Sequence, residues 1–151
     1  MQNFVTLNTS DMTGEFSAVV AIGATCIAAI YITIFSFVKE PYRQQINALI
    51  IAGAGGVYWG SGLGFYEFPL GVMMIFLAYR GMKDYRYLAL GWIVHTIYDL
   101  LHHYYGNPII PMAPDSSAGC AVCDPILAIW LYFNAPSVWR LFPAQRNRNV
   151  I

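Results

Sequence analysis

Phe16 to Val38 is 23 residues without a charged side chain. A helix needs about 20 mainly apolar residues to cross the hydrocarbon core of a bilayer, so this stretch has the length of a membrane span. Ile46 to Tyr66 is a second uncharged run. The whole chain follows the same bias: 58% of its residues are hydrophobic and 11% are charged, against about 25% charged in a soluble domain. The fold expected is therefore all-α, a polytopic membrane bundle forming one domain over residues 1–151. The formal net charge is zero, which removes the electrostatic reason to expect a nucleic-acid partner. Residues 1–15 carry Asp11 and Glu15 but no Lys or Arg, so they read as lacking the basic start of a cleavable signal peptide.

Five transmembrane helices are expected, at about 16–38, 46–66, 68–83, 87–105 and 125–140. Lys39-Glu40-Pro41-Tyr42-Arg43 closes the first. The second holds Gly53, Gly55, Gly56, Gly60, Gly62 and Gly64, and the pairs Gly56/Gly60 and Gly60/Gly64 have the GxxxG spacing of close helix packing. The third is short and spans only if Arg80 snorkels. Gly106-Asn107-Pro108 stops the fourth. Asp124 and Pro125 read as the N-cap and first turn of the fifth, and Pro136 as its bend or end. With the N-terminus outside and the C-terminus cytoplasmic, this layout puts all eight basic residues on the cytoplasmic side. Asp11, Glu15, Glu67, Asp115 and Asp124 then face outward, in keeping with the positive-inside rule.

Every histidine of the chain lies in Gly91 to Tyr105. At about 100° per residue, Asp99 falls roughly 40° from His95, His102 about 20° to its other side and His103 about 80° away. Ile93, Ile97, Leu100 and Leu101 occupy the opposite side. A carboxylate at this depth must face the bundle interior or a wet cavity. Imidazole and carboxylate are the ligands of zinc, iron and manganese, so a divalent metal such as zinc is the cofactor expected. The ligand candidates are His95, Asp99, His102, His103 and Glu67. One helix cannot close all its groups on one ion; His95/Asp99 or Asp99/His103 can chelate, and Glu67, Asp115, Cys120, Cys123 or Asp124 would add to them from elsewhere. A site with few protein ligands and an activated water would make His95 and Asp99 the catalytic groups of a metal-dependent hydrolase acting on a lipid-like substrate. The same stripe also suits interhelical hydrogen bonding, proton transfer, or ligation of a pigment or haem.

Cys120-Ala121-Val122-Cys123 is a second signal. Placed before a helix N-terminus on the outer face, the pair reads as a redox dithiol, a disulfide or two metal ligands; Cys26 reads as a packing residue. The loop Pro108 to Pro114 is apolar enough to fold back over the polar stripe as a lid. Besides the hydrolase, two other functions fit: a non-catalytic accessory subunit, whose 16% aromatic content suits contact with partners or pigments, and a CxxC thiol oxidoreductase. The partners expected are the lipid bilayer and other membrane subunits or further copies of the chain.

Four segments carry a family resemblance: Lys39 to Ala48, His95 to His103, Tyr105-Gly106-Asn107-Pro108 and Gly119 to Pro125. Over roughly Phe37 to Val138 the chain resembles a family of small bacterial integral membrane proteins known only as a domain of unknown function. The resemblance implies a helical protein of the bacterial cytoplasmic membrane and supplies no activity. The His95-x-x-x-Asp99 spacing is also similar to that of membrane metal-hydrolases of the alkaline-ceramidase type, which take their histidines from separate helices.

Overall fold

The computed structural model describes residues 16–60, 64–105, 108–110 and 112–140. Five α-helices follow one another: α1 Ala18–Phe37, α2 Tyr42–Val57, α3 Glu67–Gly81, α4 Tyr85–Tyr104 and α5 Ser116–Tyr132. Short 3-10 turns at Tyr58–Gly60 and Val138–Arg140 complete the described helical structure, and no strand occurs among the described residues. The chain is all-α. The calls that fall on 1–15, 61–63 (which includes Gly62), 106–107, 111 and 141–151 lie outside the described residues.

The helices run alternately up and down. One end gathers the α1–α2 and α3–α4 turns with the end of α5. There the Gln44 amide donates to the Gly81 carbonyl, Tyr85 Oη donates to Glu40, and the Ser137 hydroxyl donates to the Ser36 carbonyl. Lys39, Arg43, Arg80, Lys83 and Arg86 all lie at or next to this basic end. The opposite end holds Glu67 and Asp115, at the starts of α3 and α5. α4 packs most extensively on α5, α2 on α3, and α1 against α5.

Helix boundaries differ from the expected ones where a side chain supplies what the sequence pattern hides. α2 begins four residues earlier than the uncharged run because Arg43 is buried with its charge satisfied, and it ends at Val57, nine residues before the expected 66, passing into the 3-10 turn at Tyr58–Gly60. The Arg43 guanidinium donates to the carbonyls of Val38 and Ala135 and faces Glu40. α4 starts at Tyr85 because the Asp84 carboxylate accepts from the Arg86 N–H, an N-cap.

The largest correction is α5. It starts nine residues before the expected 125 and ends eight before the expected 140. Asp124 is therefore no cap; it sits mid-helix, and Pro125 is inside the helix. The true start follows Asp115, where the hydroxyls of Ser116 and Ser117 accept from the N–H groups of Ile110 and Ile109 and pin the incoming loop. At the other end Asn134 and Ala135 take φ of 63° and 46°. The Ala135 N–H then returns to the Trp130 carbonyl and the Asn134 N–H to that of Leu131, a left-handed helix terminus. Pro136 thus follows the helix.

The glycines also sort differently. A methyl group at Gly53, Gly56 or Gly60 would meet nothing within 4 Å, so the two GxxxG pairs carry no helix contact. The close approach is Gly55 against α3: a Cβ at Gly71 would lie 2.7 Å from the Gly55 carbonyl and 2.3 Å from Trp59 Nε1.

Apolar side chains cover much of the surface. α1 exposes Val19, Ile22, Ile27, Ile30, Ile34 and Phe37; α4 exposes Ile93, Ile97 and Leu100 on the side opposite its polar stripe, and Leu101 on its flank beside Tyr98 and Tyr105. Among the described residues α1 is the one helix long and apolar enough to cross a membrane by length and composition.

Candidate metal centre

His95 and Asp99 lie one turn apart on α4 and Asp124 lies on α5, and all three are buried. The intimate, antiparallel packing of α4 on α5 turns the two polar faces toward each other. His95 Nδ1 is 3.6 Å from Asp99 Oδ1, and His95 Nε2 is 3.8 Å from Asp124 Oδ2. One ligand atom from each residue can be chosen so that all lie within 4.8 Å of one another.

These separations are longer than hydrogen bonds. Only one of the two can be a ligand–ligand spacing about a single ion, and it compares with the roughly 3.4 Å that separates ligands placed tetrahedrally about 2.1 Å from zinc. His95 Nδ1, both carboxylate oxygens of Asp99 and Asp124 Oδ2 are buried and make no close geometric hydrogen bond, and the two carboxyl groups lie near enough to share a proton between them. Buried polar atoms are normally paired, and an unpaired carboxylate oxygen in an apolar interior is costly. Two facing carboxylates and one imidazole form a donor set that a divalent cation would satisfy. A single ion can take only one nitrogen of His95; the other faces a carboxylate, as in the carboxylate–histidine arrangement that orients metal-binding imidazoles. The residues present fit a divalent metal.

Aromatic rings wall the site. Tyr58, fully buried, packs edge-on to His95 with ring centroids 5.2 Å apart, and Trp92 lies 5.5 Å from the same imidazole.

The remaining candidates are placed apart. Glu67 and His102 are both buried and face each other, with His102 Nε2 3.4 Å from Glu67 Oε1. They form their own pair one end of α4 away from His95, not part of one cluster with it. His103 turns aside and packs edge-on to Phe16 at 4.5 Å between centroids, which removes it from the site. Asp115 is exposed at the start of α5. Cys120 and Cys123 are within α5, half-buried and unbridged, not on a loop ahead of a helix; Cys26 is exposed on α1 where packing was expected. Cys120 shares a face with Asp124 and lies within reach of both carboxylate charges. Of the expected lid, Pro108 and Ile109 are buried while Met112 is exposed, so the loop covers the bundle with its first residues only.

Asp124, expected as an added ligand from the outer loop, is a mid-helix residue of α5, a position that the helix pattern concealed. The signal that finds it is Pro114-Asp115-Ser116: read as a helix start, it puts Cys120 and Asp124 at i, i+4 on one face of α5, a counterpart to His95/Asp99 on α4.

No curated protein and no solved structure matches the chain. A family model matches residues 19–137, and on that match the chain belongs to the DUF6010 family, a family of unknown function.

Proposed function

We propose that this chain is an integral membrane protein that binds a divalent metal at His95, Asp99 and Asp124 and acts as a metal-dependent hydrolase on a lipid-like substrate. The observation that supports the metal reading is the convergence of three buried ligand candidates from two helices, two of them carboxyl groups facing each other in an apolar interior. Such a metal would supply Lewis acidity and a water made acidic enough to attack at neutral pH. The chain's own groups divide the remaining work. The carboxylates neutralise the cation, the second nitrogen of His95 fixes the ring, and Tyr58 and Trp92 exclude bulk water.

Membrane embedding is supported by the exposed faces. Most of α1's apolar side chains are exposed, which favours a lipid-facing helix over the core helix of a soluble bundle. Its isoleucines, with those of α4, find their natural surroundings among acyl chains. α2, α3 and α5 are 16, 15 and 17 residues long, and α2 gains length through the 3-10 turn to Gly60. The charge layout favours five spans with the basic end cytoplasmic.

The substrate reading rests on a groove of about 420 Å³ between α1 and α5, walled by Val20, Ala24, Ile27, Gly119, Cys120 and Cys123. It is apolar, reaches the start of α5 at Asp115 and Ser116, and borders the acidic site through Cys120.

Metal analysis of the purified protein tests the central claim. The expected result is one tightly held divalent metal per chain, absent from Asp99→Ala and Asp124→Asn preparations that remain helical and monodisperse in detergent. A wild-type protein that neither retains nor takes up metal, and whose Asp99→Ala variant merely melts at a lower temperature, would reduce the three residues to interhelical polar contacts.

A further inference from the structure

Glu67 and His102 are buried ionisable groups that the metal centre does not use. Glu67 is 4% exposed and His102 fully buried, in a bundle where every such group is expensive. His102 follows His95 by seven residues on the same face of α4, about 10 Å nearer the acidic end. Tyr58 bridges the interval, its ring centroid 5.2 Å from that of His95 and 6.3 Å from that of His102. Tyr98 packs on both Tyr58 and His102, at 4.5 and 4.8 Å, and its hydroxyl hydrogen-bonds Glu67. On its other side Tyr98 lines a cavity of about 410 Å³ together with Tyr66, Leu101 and Tyr105. Tyr66 and Tyr105 are largely exposed, so this cavity is a mouth at the acidic end.

Resting on the metal reading above, we propose that Glu67 and His102 are an entry station. They are a second, transient divalent-cation site through which the ion passes from the tyrosine-lined mouth to His95, Asp99 and Asp124. Their place, between the mouth and the inner ligands, favours transit over residence. The inner ligands are buried, and an ion moving directly from water to them would lose its hydration with nothing in exchange. A carboxylate and an imidazole between the mouth and the inner ligands shorten that gap. A strut between α3 and α4 would need the same pair but not the adjoining mouth.

The test is the rate of metal uptake rather than its extent. The full chain, stripped of metal in detergent, is mixed with Co²⁺, and the visible absorption that develops on coordination is followed in time. Glu67→Gln removes the station's charge, and Leu101→Trp fills the mouth from a position already exposed to the surroundings. Both variants are expected to take up Co²⁺ about tenfold more slowly than the wild type, as when a charged cleft loses its charge, and to reach the same final absorbance. Wild-type rates in both variants would overturn the proposal. So would a lower final absorbance in Glu67→Gln, which would make Glu67 a resident ligand. If Glu67→Gln does not fold, Leu101→Trp alone decides. A wild-type chain that binds no Co²⁺ at all defeats the metal reading itself, a result distinct from binding at an unaltered rate.

Discussion

His95 is the residue on which both carboxylates converge, one on each ring nitrogen. His95→Gln keeps an amide of similar reach but loses the imidazole's two-sided geometry. It is expected to weaken metal binding by about 10- to 100-fold or more, as loss of a ligand's orienting shell already does, measured by competition with a chromophoric chelator. His103 makes the contrast. It lies on Phe16, clear of the site, so His103→Ala should retain full metal content and lose about 1 kcal/mol of stability, the scale of a single edge-on ring contact. Loss of metal in His103→Ala would mean that the helix face has been assigned wrongly. His95 and Asp99 are legible in the sequence because i, i+4 spacing on a helix is a local property. Asp124 is legible only as one of several residues that could add a ligand, because its facing of α4 depends on where α5 begins. An Asp followed by Pro has the local form of a helix start, and only the docking of α5 on α4 shows it to be mid-helix. Glu67 and His102 are each legible as polar residues in apolar surroundings, but their pairing across α3 and α4 is tertiary and leaves no spacing to read.

At the scale of the element, α1, α3 and α4 lie within two residues of their expected positions, whereas α2 ends nine residues before the expected 66 and α5 is displaced at both ends. Its first turns contain Ser, Gly and Cys, which have no hydrophobic period, and its start is fixed by the Ser116 and Ser117 hydroxyls holding the loop. Glycine content announced a close helix approach in α2 without saying which glycine makes it. The structure puts that approach at Gly55 and Gly71, and two substitutions separate the roles. Gly71→Leu must push apart Trp59 and the Gly55 backbone and should cost about 1–3 kcal/mol or more, the penalty of overpacking. Gly53→Ala adds a methyl group into open space within α2 and should leave stability unchanged or raise it by up to about 1 kcal/mol through helix propensity. Thermal unfolding of the two purified variants in one detergent checks both; equal shifts would show that the α2–α3 seam is not where the helices touch.

At the scale of the whole molecule, an apolar exterior and two ends of opposite character define an orientation. Lys39, Arg80, Lys83 and Arg86 mark one end, and Glu67 and Asp115 mark the other. Cys26 offers a test because it stands near the middle of α1 on an exposed face. In a water-soluble bundle that thiol would react with a charged, membrane-impermeant maleimide as readily as a small-molecule thiol. In a bilayer it faces acyl chains, where no water supports the thiolate that does the attacking, so it should stay unlabelled in intact vesicles. A cysteine placed at Phe16, at the acidic end of α1, should label from the outer side only, and a reporter fused after Ile151 should be active only in the cytoplasm. Prompt labelling of Cys26 in vesicles would remove the membrane reading and, with it, the lipid-like substrate. Labelling of Phe16→Cys from the cytoplasmic side would keep the membrane but invert the bundle. The mouth at Tyr66 and Tyr105 would then draw its cation from the cytoplasm, with the entry station and the metal centre unchanged in their order along α4.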